Sequence, residues 1–413
     1  MTSQMDPPHD VDIDVDIDID VDVAVVGAGP VGLLLAGELA ADGTHTVVVE
    51  RSSAPSAMPK ANGIVGHSAL ELDRRGVLAG TAFRVVSPPR FPFGPLPLDL
   101  GTGRDNPLHI LPMPQRALED ALEARAVASG ARVLRGRAVA DFAQDDSAVS
   151  IDVRGGDTIQ RVRARYLVGC DGARSLVRKR AGIAFPGFTA DVVARIARVT
   201  IPEGRLERVA DGFDVPGVGH LPAMRPVQTA GGGFSIAPVA ALDPGAPSDL
   251  YLISTHEPRR DLEAADEVSV EELRASVFRV LGAELPFTAA TDVRRTVGNS
   301  RQAEAYRAGR VFLAGDAAHI FNAGGSALNV GLADAIDLAG RLTAVLRGRA
   351  SLEELDAYEA VRRPAGERAL AHTRAQAALA APDQSGEALR RVLGPLLAQQ
   401  STARILGGLL EDA

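Results

Sequence analysis

Three closely spaced glycines could bind a dinucleotide. Gly27, Gly29 and Gly32 follow an apolar segment and precede a segment of helical character at residues 31–41. In such a strand–turn–helix unit the first glycine permits a tight turn and the second lets the backbone approach a pyrophosphate. The third lets the helix pack closely on the strand. The free N–H groups at the start of the helix, next to Pro30, would then face the phosphates.

An acidic residue follows the glycine motif at the distance in sequence that is typical of a ribose-binding carboxylate. Glu50 ends the next predicted strand, Thr46–Glu50, and follows Gly32 by 18 residues. A carboxylate there can accept hydrogen bonds from the ribose hydroxyls. It would also repel a 2′-phosphate, which disfavours NADP at this position. The motif with its strand, helix and carboxylate predicts dinucleotide binding, and by itself leaves FAD and NAD as alternatives.

Two later segments complete a pattern of three motifs. The segment at residues 166–183 reads YLVGCDGARSLVRKRAGI, and the segment at residues 309–342 begins GRVFLAGDAAH. In this order and spacing, the three motifs resemble those of the class A flavoprotein monooxygenases. That family includes para-hydroxybenzoate hydroxylase and the aromatic polyketide hydroxylases. The resemblance extends from Val21 to about Ala380.

The resemblance implies FAD as the bound cofactor and NAD(P)H as co-substrate. It places Asp171, with Gly172 and Arg174, in the cofactor region, and Arg178, Lys179 and Arg180 add positive charge nearby unless they form an exposed helix face. Lys60 stands where the family usually has arginine, and a lysine lacks the bidentate fork of a guanidinium. The segment at residues 114–116 resembles one in which a glutamine faces FAD.

Asp316 has a physical reason to belong to the same site. It ends a predicted buried strand, where its carboxylate could accept a hydrogen bond from a ribityl hydroxyl. The segment at residues 324–329 then leads into a long helix, whose N-terminus would stabilise negative charge on a reduced flavin. The expected cofactor-binding residues are therefore Gly27, Gly29, Pro30, Gly32, Glu50, Arg51, Lys60, Gln115, Asp171, Asp316, Gly325, Ala327, Leu328 and Asn329.

The segment after Asp316 departs from the family pattern. Relatives usually carry a proline beside the reacting edge of the flavin and then Gly-Gly-Gln-Gly, whereas this chain has Ile-Phe-Asn-Ala and then Gly-Gly-Ser-Ala. We expect an NAD(P)H-dependent monooxygenase that uses a flavin C4a-hydroperoxide on a bulky, polyketide-like substrate. The alternatives are a redox-neutral cyclase in which FAD is structural, and an FAD-dependent oxidase. No residue is assigned as catalytic.

Composition excludes several other classes. The net charge of −9 argues against a nucleic-acid or anionic-membrane surface, so the expected partner is a small organic molecule. The single cysteine, Cys170, permits neither a disulfide framework nor a cysteine metal cluster, and we expect it in the core. The histidines lack metal-site spacing. No signal peptide or membrane span is expected, and a cytoplasmic location fits the cysteine usage.

The order of elements predicts an α/β fold. A Rossmann-like FAD domain with a parallel sheet would be interrupted by an antiparallel substrate domain and followed by C-terminal helices, with no room in this chain for the thioredoxin-like domain of many polyketide hydroxylases. The predicted divisions are a disordered acidic tail at 1–20, the FAD domain at 21–184 and 298–350, the substrate domain at 185–297 with a contribution from 85–113, and C-terminal helices at 351–413. Within the acidic repeat, only residues 21–26 are expected to form a strand.

Overall fold

The computed structural model describes residues 17–56, 60–103, 105–241, 245–258, 268–322, 327–381 and 383–411. Its strands are β1 Ile17–Val26, β2 Thr46–Glu50, β3 Ile64–Val65, β4 Arg90–Phe93, β5 Leu96–Asp99, β6 Ile110–Leu111, β7 Arg132–Arg135, β8 Ala138–Gln144, β9 Val149–Gly155, β10 Thr158–Gly169, β11 Gly187–Thr200, β12 Glu207–Val209, β13 Gly212–Val215, β14 Gly219–Pro222, β15 Val227–Thr229, β16 Gly232–Pro238, β17 Leu250–Pro258, β18 Ala289–Gln302, β19 Arg307–Ala308, β20 Val311–Leu313 and β21 His319–Ile320. The α-helices are α1 Pro30–Ala41, α2 His67–Arg74, α3 Gln115–Ala128, α4 Leu176–Arg180, α5 Val270–Leu281, α6 Ala327–Leu346, α7 Asp356–Ala380, α8 Gln384–Leu397 and α9 Gln400–Glu411.

The first sheet has a parallel core. Its strands follow the order β19-β20-β10-β1-β2-β7, and β10, β1, β2 and β7 run parallel to one another. Residues of the central strands such as Val25 and Val48 are fully buried, since helices α1 and α3 pack on the sheet and α6 packs on α1. The prediction of an α/β fold with a parallel sheet is confirmed.

Strand β1 is longer than the sequence predicted. It begins at Ile17 instead of Val21, and Ile17 already pairs with Arg161 of β10. Arginines of β10 compensate the acidic side chains of the strand: Arg163 lies 3.7 Å from Asp20, and Arg165 lies 3.5 Å from Asp22. Repulsion between alternate aspartates was the reason for the shorter prediction, and these ion pairs relieve it. The rest of the predicted tail, residues 1–16, lies outside the described residues.

The second sheet is antiparallel and shares a turn with the first. Its order is β15-β16-β17-β11-β18-β21, and α5 packs on one face over a core that includes Phe234, Ile253 and Val277. Strand β20 of the first sheet is followed by the short 3₁₀ turn Gly315–Ala317 and then by β21 of the second sheet. This turn therefore joins the two sheets.

A third apolar core connects the middle of the chain to its C-terminal helices. Leu98 and Leu100, on and beside the β4–β5 hairpin, pack with Leu397, Ala403 and Leu410 of α8 and α9. Residues 85–113 thus contact the end of the chain. Among the described helices, none has both the length and the apolar character that crossing a membrane requires.

A buried carboxylate holds the turn between the sheets. Both Asp334 on α6 and His319 on β21 are fully buried, and Nε2 of His319 lies 2.6 Å from Oδ2 of Asp334. The same oxygen accepts a hydrogen bond from the N–H of Gly315 at 3.0 Å, and Oδ1 accepts one from Nε of Arg362 on α7 at 2.8 Å. Burial alone would raise the pKa of Asp334, but His319 and Arg362 outweigh it and the pKa is lowered.

Removing this carboxylate should strongly destabilise the protein. Asp334→Ala leaves Arg362 without its buried partner, which we expect to lower the free energy of unfolding by about 3–5 kcal/mol in urea denaturation. The matched control is Asp337→Ala on the same helix, because Arg341 keeps its second partner Glu354. That variant should lose about 1 kcal/mol or less. Equal losses in the two variants would contradict the assigned role of Asp334.

Candidate functional site

The first glycine motif forms the predicted tight turn. Gly27 has φ +105°, and a Cβ at this position would overlap the carbonyl oxygen of Cys170. A Cβ at Gly32 would overlap the carbonyl oxygen of Gly27, so helix α1 lies against the turn. A Cβ at Gly29 would meet no atom within 4 Å, because this residue faces an open cleft at the N-terminus of α1. Gly27 and Gly32 are thus required by close contacts between backbone segments, whereas Gly29 leaves open space beside the cleft.

Glu50 lies beside that turn as the spacing predicted. Its two carboxylate oxygens accept hydrogen bonds from the N–H groups of Ala28 and Ser52, each at 2.8 Å. Burial would raise the pKa of Glu50, but these hydrogen bonds and the positive charge of Arg135 lower it overall. The side chain is therefore a fixed carboxylate at the wall of the cleft.

The second motif contributes another fixed carboxylate. Oδ2 of Asp171 accepts hydrogen bonds from the N–H groups of Leu176 and Val177 at 2.7 and 3.2 Å. Oδ1 is buried and has no hydrogen-bond partner among the described residues. Gly172 and Arg174 line the same part of the cleft. The backbone N–H groups therefore hold this carboxylate in place beside the cleft.

Arg178 and Cys170 differ from their predicted surroundings. Arg178 is buried and donates to the carbonyl oxygen of Ala317 at 2.9 Å, so it connects the second motif to the third and is not an exposed cation. Cys170 packs on the main core but is only half-buried, and it also lines the cleft. Burial, together with the negative charge of Asp171, raises the pKa of its thiol well above the usual value, which keeps it protonated.

Asp316 lies in the turn that joins the two sheets. Its carboxylate is accessible from the cleft and makes no hydrogen bond to the described part of the chain. Close enclosure by the walls of the cleft raises its pKa, and His319 and Lys60 offset only part of this effect. Asp316 is therefore a polar group that the described protein leaves available.

Helix α6 begins next to Asp316. Ala327 and Leu328 line the cleft, and the first N–H groups of a helix have no partner within it. Asn329 lies behind the wall: its Oδ1 accepts a hydrogen bond from the N–H of Val65, and its carbonyl oxygen accepts one from Ser68. Gly325 lies outside the described residues.

One cleft of about 790 Å³ brings most of the predicted residues together. Gln115 fixes the loop that carries Lys60, since its N–H donates to the carbonyl oxygen of Ala61 at 2.9 Å. Gly32 and Asn329 do not line the cleft, and each supports residues that do. The predicted residues on its walls are Gly27, Gly29, Pro30, Glu50, Arg51, Lys60, Gln115, Asp171, Asp316, Ala327 and Leu328.

Several lining residues were missed from the sequence. Arg137 immediately precedes β8, and Ala138 and Val139 begin it. Phe321 follows β21, and its ring is stacked on that of His319 with 5.1 Å between the ring centroids. Three consecutive lining residues, 137–139, do not follow the period-two pattern of a strand, so no local pattern in the sequence marked them.

The second sheet presents a polar face near the same turn. Ser235 and Ser254 pair directly, with their Oγ atoms 2.7 Å apart, and His256 pairs with Gly233. Their neighbours on the opposite face contact α5; for example, Thr255 lies 2.6 Å from Ser276. Burial lowers the pKa of His256, which favours the neutral imidazole.

This polar face is turned toward the end of the cleft. Thr296 on β18 shares it, because Thr296 pairs with Ala194 and Ala194 pairs with His256. Two residues further along β18, the side chain of Asn322 lies directly over Gly298. Asn322 follows Phe321, which lines the cleft, so the polar face and the cleft meet at this segment.

Comparisons with known proteins agree with this geometry. A family model described as "FAD binding domain" matches residues 20–373. A 12-dehydrotetracycline 5-monooxygenase/anhydrotetracycline 6-monooxygenase from Streptomyces rimosus is 37% identical over 401 residues, covering 94% of this chain and 75% of the relative. A rifampicin monooxygenase from Streptomyces venezuelae is 34% identical over 388 residues, covering 92% and 76%.

A solved structure supports the same conclusion about the fold. The Diels-Alderase PyrE3 of the pyrroindomycin pathway matches with a TM-score of 0.81 at 33% identity, covering 95% of this chain and 80% of that one. The family match covers most of the chain, and the two monooxygenases exceed 30% identity over most of its length. The chain therefore belongs to the FAD-binding-domain family of class A flavoprotein monooxygenases.

Proposed function

We propose that this protein binds FAD in the cleft and uses NAD(P)H and O₂ to oxygenate a bulky, polyketide-like molecule on the polar face of the second sheet. The observation that carries the proposal is the continuous cleft that runs from the Gly27–Gly32 turn to Asp316 and the start of α6, with Phe321 on its wall and the next residue, Asn322, lying over Gly298 of the second sheet. FAD, when bound, supplies the redox chemistry, while the protein binds, orients and excludes water.

The walls of the cleft match the parts of an extended dinucleotide. The open space at Gly29 and the N–H groups of α1 suit the pyrophosphate. Glu50 suits the adenosine ribose, while Asp316 suits a hydroxyl group. Lys60 adds a positive charge near Asp316. These roles use only groups that the described protein leaves available or holds rigidly.

The start of α6 suits the flavin ring. The N–H groups of Leu328 and its neighbours are directed along the helix axis, and a helix N-terminus stabilises negative charge. Phe321 provides an apolar wall close by. Such a site would favour the reduced anionic ring and limit its contact with water.

The polar face of the second sheet is suited to binding a bulky substrate that carries oxygen atoms. Strands lie about 4.8 Å apart, so the three spacings from β18 to β16 span about 14 Å, the length of several fused rings. The hydroxyls of Ser235 and Ser254 and the imidazole of His256 can each donate or accept hydrogen bonds. This arrangement suits a molecule that carries hydroxyl and carbonyl groups along one edge.

A redox-neutral cyclase is the second candidate. The match to a Diels-Alderase and the 35% identity to a dialkyldecalin synthase from Streptomyces rugosporus show that this family also contains cyclases. The sequence departs from the family pattern after Asp316, with Ile-Phe-Asn-Ala and no proline, and then Gly-Gly-Ser-Ala. Of these residues, Phe321 and Ala327 line the cleft, and residues 323–326 lie outside the described part of the chain.

Gly29→Asp should abolish FAD binding. The new side chain would fill the space proposed for the pyrophosphate, and its charge would repel the phosphates. Purified variant protein should be colourless, whereas wild type should be yellow and release FAD on denaturation. The control is Gly340→Asp on α6, where a Cβ also meets no atom within 4 Å but the residue lies away from the cleft. Full FAD occupancy in Gly29→Asp would refute this assignment.

Asp316→Ala should weaken FAD binding moderately. Losing one hydrogen bond to a neutral hydroxyl costs about 0.5–1.5 kcal/mol, which raises the dissociation constant about 2- to 12-fold. Titration of apoprotein with FAD, followed by flavin fluorescence, measures this change. Asp120→Ala, on the exposed side of α3, serves as the control and should leave the constant unchanged. An unchanged constant in Asp316→Ala would mean that this carboxylate does not contact FAD.

Isotope labelling separates the two candidate functions. We would incubate holoenzyme with anhydrotetracycline, or another polycyclic polyketide, in air with NADPH or NADH under ¹⁸O₂, and in parallel under nitrogen without nicotinamide. A monooxygenase should consume nicotinamide faster in the presence of substrate and incorporate one labelled oxygen, as seen by mass spectrometry. Product formed under nitrogen with no gain of oxygen mass would favour the cyclase.

A further inference from the structure

Arg137 is a half-buried cation that has no anionic partner among the described residues. Its side chain makes no ion pair or hydrogen bond within the described part of the chain, although it lines the cleft. Arg135, two residues earlier, is by contrast committed to Glu123 through two hydrogen bonds of 2.9 and 2.6 Å. A cation kept partly out of water without a partner suggests that a ligand completes its surroundings.

A glycine makes room for this guanidinium. Arg137 precedes Ala138, which pairs with Arg154, so Arg137 lies across from Gly155 at the end of β9. A Cβ at Gly155 would overlap the guanidinium group of Arg137. The backbone of Gly155 is not left-handed, so space for Arg137 is what requires glycine here. The side chain therefore packs directly against the β9 backbone at Gly155.

Arg137 lies at the end of the cleft that contains Glu50. Its N–H donates to the carbonyl oxygen of Glu50 at 2.9 Å, and Ser52 and Val139 line the same region. If Glu50 binds the adenosine ribose, the base must lie beyond it, away from the pyrophosphate at Gly29. A planar, weakly hydrated guanidinium stacks well on an aromatic ring.

We propose that Arg137 stacks on the adenine ring of FAD, with Val139 providing an apolar contact and Gly155 leaving room for the guanidinium group. This inference rests on the proposed FAD site. It concerns the adenine end of the cofactor and is independent of the reaction at the flavin ring.

Ligand titration of apoprotein tests the proposal. Arg137→Ala should raise the dissociation constant of FAD about 2- to 30-fold, and that of ADP similarly, because both contain adenine. The constant for FMN, which lacks adenine, should not change. Arg137→Lys should restore little, since an ammonium group has no plane to stack, and Gly155→Val should resemble Arg137→Ala by displacing the guanidinium.

Two controls test whether the change in affinity is specific to the Arg137 side chain. Arg154→Ala removes the same charge from an exposed position next to Gly155 and should leave all three constants unchanged. Melting temperatures should show that each variant is folded. Equal FAD affinity in Arg137→Ala and wild type would overturn the proposal. So would full, salt-sensitive rescue by Arg137→Lys, which would indicate attraction to a phosphate. Failure of wild-type apoprotein to bind FAD would instead refute the FAD site itself.

Discussion

The buried carboxylate of Asp334 is the interaction on which the geometry of the site depends. Desolvating a carboxylate is costly, and the cost is offset only because His319, Arg362 and the N–H of Gly315 all contact it. These partners come from three separate elements. One carboxylate therefore fixes the turn that presents Asp316 to the cleft, leads β21 into the second sheet and holds α7 against α6.

The cleft itself follows from close approaches between backbones. At Gly27 and Gly32 the chain packs so tightly that a Cβ would overlap a carbonyl oxygen, whereas at Gly29 the space beside the backbone is open. The same turn thus combines a rigid interior with an accessible surface. Carboxylates that are already hydrogen-bonded by N–H groups, such as Glu50 and Asp171, keep their position when a ligand binds. Such preorganisation lowers the entropic cost of binding.

The monooxygenase and the cyclase would use the same binding site. Both need FAD in the cleft and an organic molecule on the face that carries Ser254 and His256. They differ in whether the space around Phe321 and Asn322 excludes water and admits oxygen and a hydride donor. That space lies where the cleft and the second sheet meet. A single fold can host different chemistries, because function is set by the residues of the site.

The sequence by itself determined the local geometry of the cofactor motifs. The glycine turn, Glu50 and Asp316 lie at the ends of parallel strands, where short-range backbone geometry directs each residue to the same edge of the sheet. The α/β order, α3 at Gln115–Ala128 and β2 at Thr46–Glu50 follow from the same local patterns. Other features depended on contacts between residues far apart in the chain, which no local pattern encodes. Strand β1 extends to Ile17 by pairing with β10, Arg178 is buried and donates to the carbonyl oxygen of Ala317, and Arg137 packs against Gly155. Only the tertiary structure determined these features, because each depends on a contact with a residue that is distant in the sequence and becomes a neighbour only when the chain folds.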